Sequence, residues 1–126
     1  MKKIKTLKLN YEFKNVFDKG RYSLGSQVIA HYRKNQFGYN RLGIGVSTKL
    51  AKAVKRNRVK RVIRSCYQKI NKQYGLNIND VGYDFVFIWN KNSNLNELSY
   101  KIIYKDILNT FKYIKNKNEN EAKPEK

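Results

Sequence analysis

Apolar residues recur along this chain with a period near 3.6 in some stretches and near 2 in others, and the switches between them mark the elements. In NYEFKNVFDK, Phe13, Val16 and Phe17 fall at i, i+3 and i+4, predicting a short helix over 10–19. Asn10 is placed to cap it, and Gly20 to close it in a left-handed turn. Periodicity alone assigns both phenylalanines to a core. QVIAHYR (27–33) and RLGIGV (41–46) read as strands separated by the polar, glycine-containing turn KNQFGYN, and are expected to pair as an antiparallel hairpin. Gly43 and Gly45 lie opposite Leu42, Ile44 and Val46, so one face of the second strand is bare of side chains. Such glycines mark either the close approach of another group or a bulge.

The strongest helical pattern covers 51–74. Val59, Val62, Ile63, Cys66, Tyr67, Ile70 and Tyr74 share one arc of roughly 140° at 100° per residue. YDFVFIW (83–89) is apolar on both faces apart from Asp84, as a covered central strand would be. Asn94 and Glu97 have capping-box spacing before a last helix over about 95–115, lined by Ile103, Ile107, Phe111 and Ile114. This order of elements predicts one α+β domain over 1–115, a two-layer sandwich with a small central sheet. If the strands at 41–46 and 83–89 are parallel neighbours, the long helix is the crossover between them. The tail 116–126, with the single proline, is expected to be disordered.

Charge changes the picture from a generic small domain to one built for a polyanion. The 126 residues carry 28 Lys+Arg against 9 Asp+Glu, a net charge of +19, while 40% hydrophobic residues are too many for a disordered basic tail. One cysteine, Cys66, excludes an internal disulfide framework, and one histidine, His31, argues against a His-rich metal site or a Ser-His-Asp protease. Cys66 lies in the apolar arc and reads as buried filler. No apolar run is long enough to span a bilayer, and the basic start MKKIKTLKLNYEF lacks the apolar segment of a signal peptide. The expected setting is the reducing cytoplasm, with no membrane association.

The positive charge is concentrated opposite the apolar arc of 51–74, on Asn57, Arg58, Lys60, Arg61, Arg64 and Gln68, with Lys55 and Arg56 in the first turns. Cations three or four positions apart on a helix stand about 5–6 Å from each other. That is close to the spacing of phosphates along a strand, so several can be neutralised together with release of counterions. A merely solvated face would interleave acidic residues at i,i+4, and KRNRVKRVIR has none. Asp18, Asp80, Asp84 and Asp106 fall on separate elements, which disfavours a nuclease that holds two catalytic metals itself. A membrane-surface role conflicts with the need for the apolar arc in the domain's own core. No helix-turn-helix spacing supports sequence-specific DNA binding.

Arg56-Asn57-Arg58, Lys60-Arg61 and Arg64, preceded by RLGIGVSTKLAKAV and by YEFKNVFDKGRYS, resemble the RNR signature and its approach in the bacterial ribonuclease P protein family. The resemblance runs over roughly residues 5–115. It implies a ribosomal-protein-S5-domain-2-like fold with a left-handed βαβ crossover. It also implies an RNA-binding subunit that assists a catalytic RNA in removing the 5′ leader of precursor tRNA. Carried over by position, Lys49, Arg56, Asn57, Arg58, Lys60, Arg61 and Arg64 would contact the ribonuclease P RNA. Phe13, Phe17 and His31 would line a cleft for the single-stranded leader. Mg²⁺ would be held mainly by the RNA, and no obligate protein partner is implied. His31 stands where tyrosine is frequent in the family, with Tyr32 one residue away; Thr48 replaces a common lysine and Ala51 a frequent glycine. The competing reading is a structural, ribosomal-protein-like RNA-binding module with no part in processing.

Overall fold

The computed structural model describes residues 4–74 and 81–122. Among them the chain forms α1 (Asn10–Lys19), β1 (Arg21–Leu24), β2 (Val28–Asn35), β3 (Arg41–Gly45), α2 (Ala53–Tyr74), β4 (Gly82–Trp89) and α3 (Tyr100–Ala122), with a 3₁₀ turn at Leu95–Glu97. The sheet order is β1-β2-β4-β3. β4 is parallel to β3, so α2 is the expected crossover.

The expected hairpin between β2 and β3 does not form. β4 lies between them, antiparallel to β2 over its whole length from Val28↔Trp89 to Asn35↔Gly82. The reason is burial. β4 is apolar on both faces, and its residues are nearly all buried, a position that only the middle of a covered sheet provides. β1 has no counterpart in the hydrophobic pattern, because RYSL is short and mostly exposed and carries no apolar alternation. It forms by antiparallel pairing, Arg21↔Tyr32 to Leu24↔Ile29. At the opposite edge, residues ahead of α1 pair with β3: Leu42 donates to the Lys5 carbonyl at 2.8 Å and Leu7 to the Leu42 carbonyl at 3.0 Å. That contact shields an edge that would otherwise invite pairing with another chain.

One face of the sheet is closed by α2 and α3. Val28, Ala30 and Tyr32 of β2 and Phe85, Phe87 and Trp89 of β4 pack there with Val59, Ile63, Cys66, Tyr67 and Ile70 of α2. Ile103, Ile107, Phe111 and Ile114 of α3 complete this core, as their spacing predicts. Phe85 and Phe111 stack at 4.8 Å. Burial of the Cys66 thiol pushes its pKa up to about 11, so it is an inert filler.

Several helix ends differ from expectation. α1 is capped at Leu9 rather than Asn10: the Glu12 carboxylate accepts from the backbone N–H groups of Leu9 at 2.9 Å and Lys8 at 3.0 Å. Gly20 is extended (φ −90°, ψ −173°), not left-handed. Glycine is required there by crowding, since a Cβ would lie 2.4 Å from the Val16 carbonyl oxygen and 2.5 Å from that of Tyr32. The Asn94 side chain caps the 3₁₀ turn, accepting from Asn96 N–H, while α3 starts later, with Ser99 Oγ accepting from Ile102 N–H at 3.3 Å. α3 also continues to Ala122, into the segment expected to be disordered. Residues 116–122 contain no glycine or proline to stop it, and the first breaker is Pro124. The last four residues of the expected tail lie outside the described residues.

A small ionic hub fixes α1 to the sheet. Arg41 on β3 makes a two-pronged contact with Asp84 on β4, both bonds 2.8 Å, and its remaining nitrogen pairs with Glu12. Asn35 donates a 2.8 Å bond to Asp84 Oδ1, the oxygen that also accepts from Arg41 Nε. The backbone donors of Leu9 and Lys8, with Arg41, hold the Glu12 carboxyl at a pKa of about 2, below the usual 4.5. A folded-state pKa below the unfolded one gives stability that is complete above about pH 4.5 and is lost as pH falls toward 2. The difference in urea midpoint between the wild type and Glu12→Gln is therefore expected to be constant from pH 7 to 5. It should shrink steadily below that, and a difference unchanged at pH 2.5 would refute the assignment.

Candidate nucleic-acid interface

Two surfaces collect the residues singled out in the sequence, and they lie on different layers of the molecule. The first is the outward side of α2. Its apolar arc anchors it to the core, so helical geometry forces Asn57, Arg58, Arg61 and Arg64 outward, where all four are exposed. Val54, Asn57, Lys60, Arg61 and Arg64 line a shallow depression of ≈ 480 Å³. Among the described residues no carboxylate pairs with Arg58, Lys60, Arg61 or Arg64. These cations repel one another, and a polyanion would relieve that repulsion.

Arg56 differs from its neighbours. Its guanidinium bends back and donates to the Ala51 carbonyl at 2.8 Å, bracing the loop that enters α2. Lys49 sits in that loop, exposed, where its backbone N–H donates to Ser47 Oγ at 3.2 Å. It therefore extends the basic surface from the helix onto the loop. An exposed Val54 (79%) lies among these polar groups, suited to contact with a sugar or base.

The second surface is the sheet face away from α2 and α3. α1 covers only part of it. The strand register sets out the face in rows, with Tyr22, His31, Val86 and Gly43 side by side and Leu24, Ile29, Ile88 and Gly45 in the next row. Leu7, Val16 and Val86 form a small buried cluster under α1, with Phe13 and Ile88 packed against it. Phe13 fills the space above Gly43, where a Cβ would come within 2.5 Å of its ring. The bare face expected at both glycines is thus bare only at Gly45, where the nearest atom to a Cβ would be Ile88 Cγ1 at 3.9 Å.

An aromatic group stands on the same face, toward the β1 edge. Phe17, 42% exposed, meets the His31 ring edge-on at 4.8 Å. Tyr22, 68% exposed, lies with its ring 5.8 Å from that of His31. Tyr32 points the opposite way, into the core against Tyr83 and Phe85. His31, not Tyr32, therefore shares the face of Phe17, as strand alternation requires. Partial burial lowers the His31 pKa below 6.5, so at neutral pH the ring is uncharged and offers a π-face. Sequence reasoning misses Tyr22 because its strand has no apolar signature. The one available signal is an aromatic just after the corner glycine.

Among the described residues no three His, Cys, Asp or Glu side chains come together in a manner that could hold a metal ion, and no helix is long and apolar enough to cross a membrane. Asp106, one of the scattered carboxylates, serves the fold instead. It accepts from the backbone N–H groups of Ser26, Gln27 and Val28, fixing the start of β2 to α3.

The chain is similar to known proteins over most of its length. The family model described as Ribonuclease P matches residues 1–115. A ribonuclease P protein component of Fusobacterium nucleatum is 38% identical over 110 residues, which is 85% of this chain and 94% of the relative. The RNase P protein from Thermotoga maritima superposes with a TM-score of 0.73 at 29% identity, covering 86% of this chain and 96% of its own. The Staphylococcus aureus RNase P protein gives a TM-score of 0.71 at 27% identity, covering 90% and 97%.

Proposed function

Since the chain belongs to the ribonuclease P protein family, and so is the tRNA-processing protein component of an endoribonuclease that works with the ribonuclease P RNA, we propose how its two surfaces divide the work. The outer side of α2, with Lys49 on the preceding loop, grips the RNA subunit. Arg58, Arg61 and Arg64 bond phosphate oxygens in the forked geometry that lysine lacks, with Asn57 and Lys60 between them. Arg56 shapes the loop from which Lys49 reaches out. The cleft between α1 and the sheet holds the single-stranded 5′ leader of precursor tRNA, whose unpaired bases stack on Phe17, His31 and Tyr22, with Phe13 forming the inner wall.

Hydrolysis in this proposal belongs to the RNA subunit, and Mg²⁺ sits on RNA phosphate oxygens. The protein's part is to bind, orient and neutralise. The observation that carries the proposal is the pairing of an unneutralised arginine face on α2 with an open aromatic cleft on the opposite layer. One subunit can thereby touch catalyst and substrate at once.

The test is the preference of the reconstituted holoenzyme for precursor over mature tRNA. Stacking contributes about 1–3 kcal/mol per base, so Phe17→Ala is expected to weaken precursor binding by roughly 5- to 100-fold. Mature tRNA, which has no leader, should bind as before. Phe17→Tyr should retain most of the preference. Equal losses for both tRNAs would remove the leader from the cleft.

A further inference from the structure

We propose a third contact with RNA: a phosphate-binding pocket at the β1 edge of the sheet, separate from both the α2 face and the aromatic cleft. A cavity of ≈ 460 Å³ opens there, lined by the cations Lys19, Arg21, Arg33, Lys34 and Lys117, with Tyr32 on its wall. No carboxylate lines it among the described residues. Its size is that of a site for one nucleotide rather than a bare ion, and its chemistry is that of a phosphodiester with its sugar.

The pocket is assembled from three parts of the chain that only the fold brings together. Lys19 and Arg21 flank the corner between α1 and β1, Arg33 and Lys34 lie toward the end of β2, and Lys117 comes from the last turns of α3. The corner is firmly placed. Gly20 N–H donates to the Val16 carbonyl at 2.9 Å, and its missing Cβ lets the chain pass against the Tyr32 backbone. Arg21 is opposite Tyr32 in the β1–β2 register, and Tyr32 faces the α3 side of the sheet. The pocket therefore lies on the layer away from the leader cleft. Arg33, next to Tyr32 on the strand, turns its side chain to the α1 layer with Asp84 and Arg41, so the charges gathered on the α3 side include Lys19, Arg21 and Lys117. Their proximity raises the folded state's self-repulsion, and a bound phosphate relieves it.

The inference rests on the reading of the chain as an RNA-binding subunit, and its first test does not depend on ribonuclease P activity. Titrating the full chain with inorganic pyrophosphate, followed by amide NMR, should shift Gly20, Arg21, Lys34 and Lys117. The double variant Arg21→Gln/Lys117→Gln should abolish those shifts and leave any on α2 intact. In the second test, binding is measured at about 0.15 M salt for the RNA subunit and for precursor tRNA on the holoenzyme. The pocket variant is expected to weaken one of them roughly 5- to 30-fold and to reduce its salt slope by about 2. Which of the two weakens identifies the RNA that supplies the phosphate. Lys101→Gln/Lys105→Gln, which removes the same charge from exposed sites on α3, controls for net charge and should cost less than about threefold. Pyrophosphate shifts confined to α2 overturn the proposal. So does a pocket variant that matches the control with both RNAs, even if pyrophosphate binds.

Discussion

Replacing Arg58, Arg61 and Arg64 together by alanine is expected to lower affinity for the ribonuclease P RNA by roughly 10²- to 10⁴-fold near physiological salt. Each charge-assisted bond to phosphate contributes about 1.5–3 kcal/mol, and the whole range is set below the sum of three because neighbouring cations take over part of the contact. The slope of log affinity against log salt should fall by roughly 2 to 3, because each lost phosphate contact removes about one released counterion. Folding should not suffer. All three side chains are exposed and make no described bond within the chain, and alanine favours helix over arginine. A filter-binding salt series beside a urea titration separates the two effects. A drop in urea midpoint as large as the loss of binding would place these arginines in the fold rather than in the interface.

The largest effect on stability is expected at Arg41. Asp84 is only 8% exposed and draws two bonds from this guanidinium. Arg41→Met leaves that carboxylate buried with Asn35 as its remaining described side-chain partner and also frees Glu12. Removing one partner of a buried pair costs about 3–5 kcal/mol, a large share of the roughly 5–15 kcal/mol that holds a domain together. Replacing both partners, as in Arg41→Met/Asp84→Leu, should recover most of the loss, since an apolar pair of similar volume needs no desolvation of charge. Urea unfolding of the single and double variants measures this directly. Equal destabilisation in both would mean that the hub works through shape rather than charge. Because α1 rests on Glu12, the single variant should also loosen the Phe17–His31 contact, coupling the hub to the cleft.

The chain's periodicities are sufficient for the elements that carry a one-sided apolar stripe, and for the strand that is apolar throughout. α1, α2 and β4 lie within about two residues of where their patterns put them, and α3 carries its predicted stripe although it starts at Tyr100 and runs on to Ala122, because burial of a stripe has the same geometry whatever it packs against. The arginine face of α2 is legible for the same reason: fixing Val59, Ile63, Cys66 and Ile70 inward fixes Arg58, Arg61 and Arg64 outward. Helix ends are less legible. Asn10 has the right chemistry for a cap, but the Glu12 carboxylate, also held by Arg41, takes the backbone donors of Lys8 and Leu9 instead.

Local pattern therefore determined an α+β fold, a helix with one cationic side, and a surplus of positive charge that calls for a polyanion. Tertiary structure decided which strands became neighbours, because β4 could bury both faces only between β2 and β3, and a neighbour's burial is not written in either neighbour's own sequence. The same sheet order made the cleft: it brought His31 into contact with both Phe17 and Tyr22, turned Tyr32 into the core, and let Phe13 fill the space above Gly43 while Gly45 stayed open. Contacts between residues distant along the chain depend on register and layer order, and those are fixed only when the whole core closes.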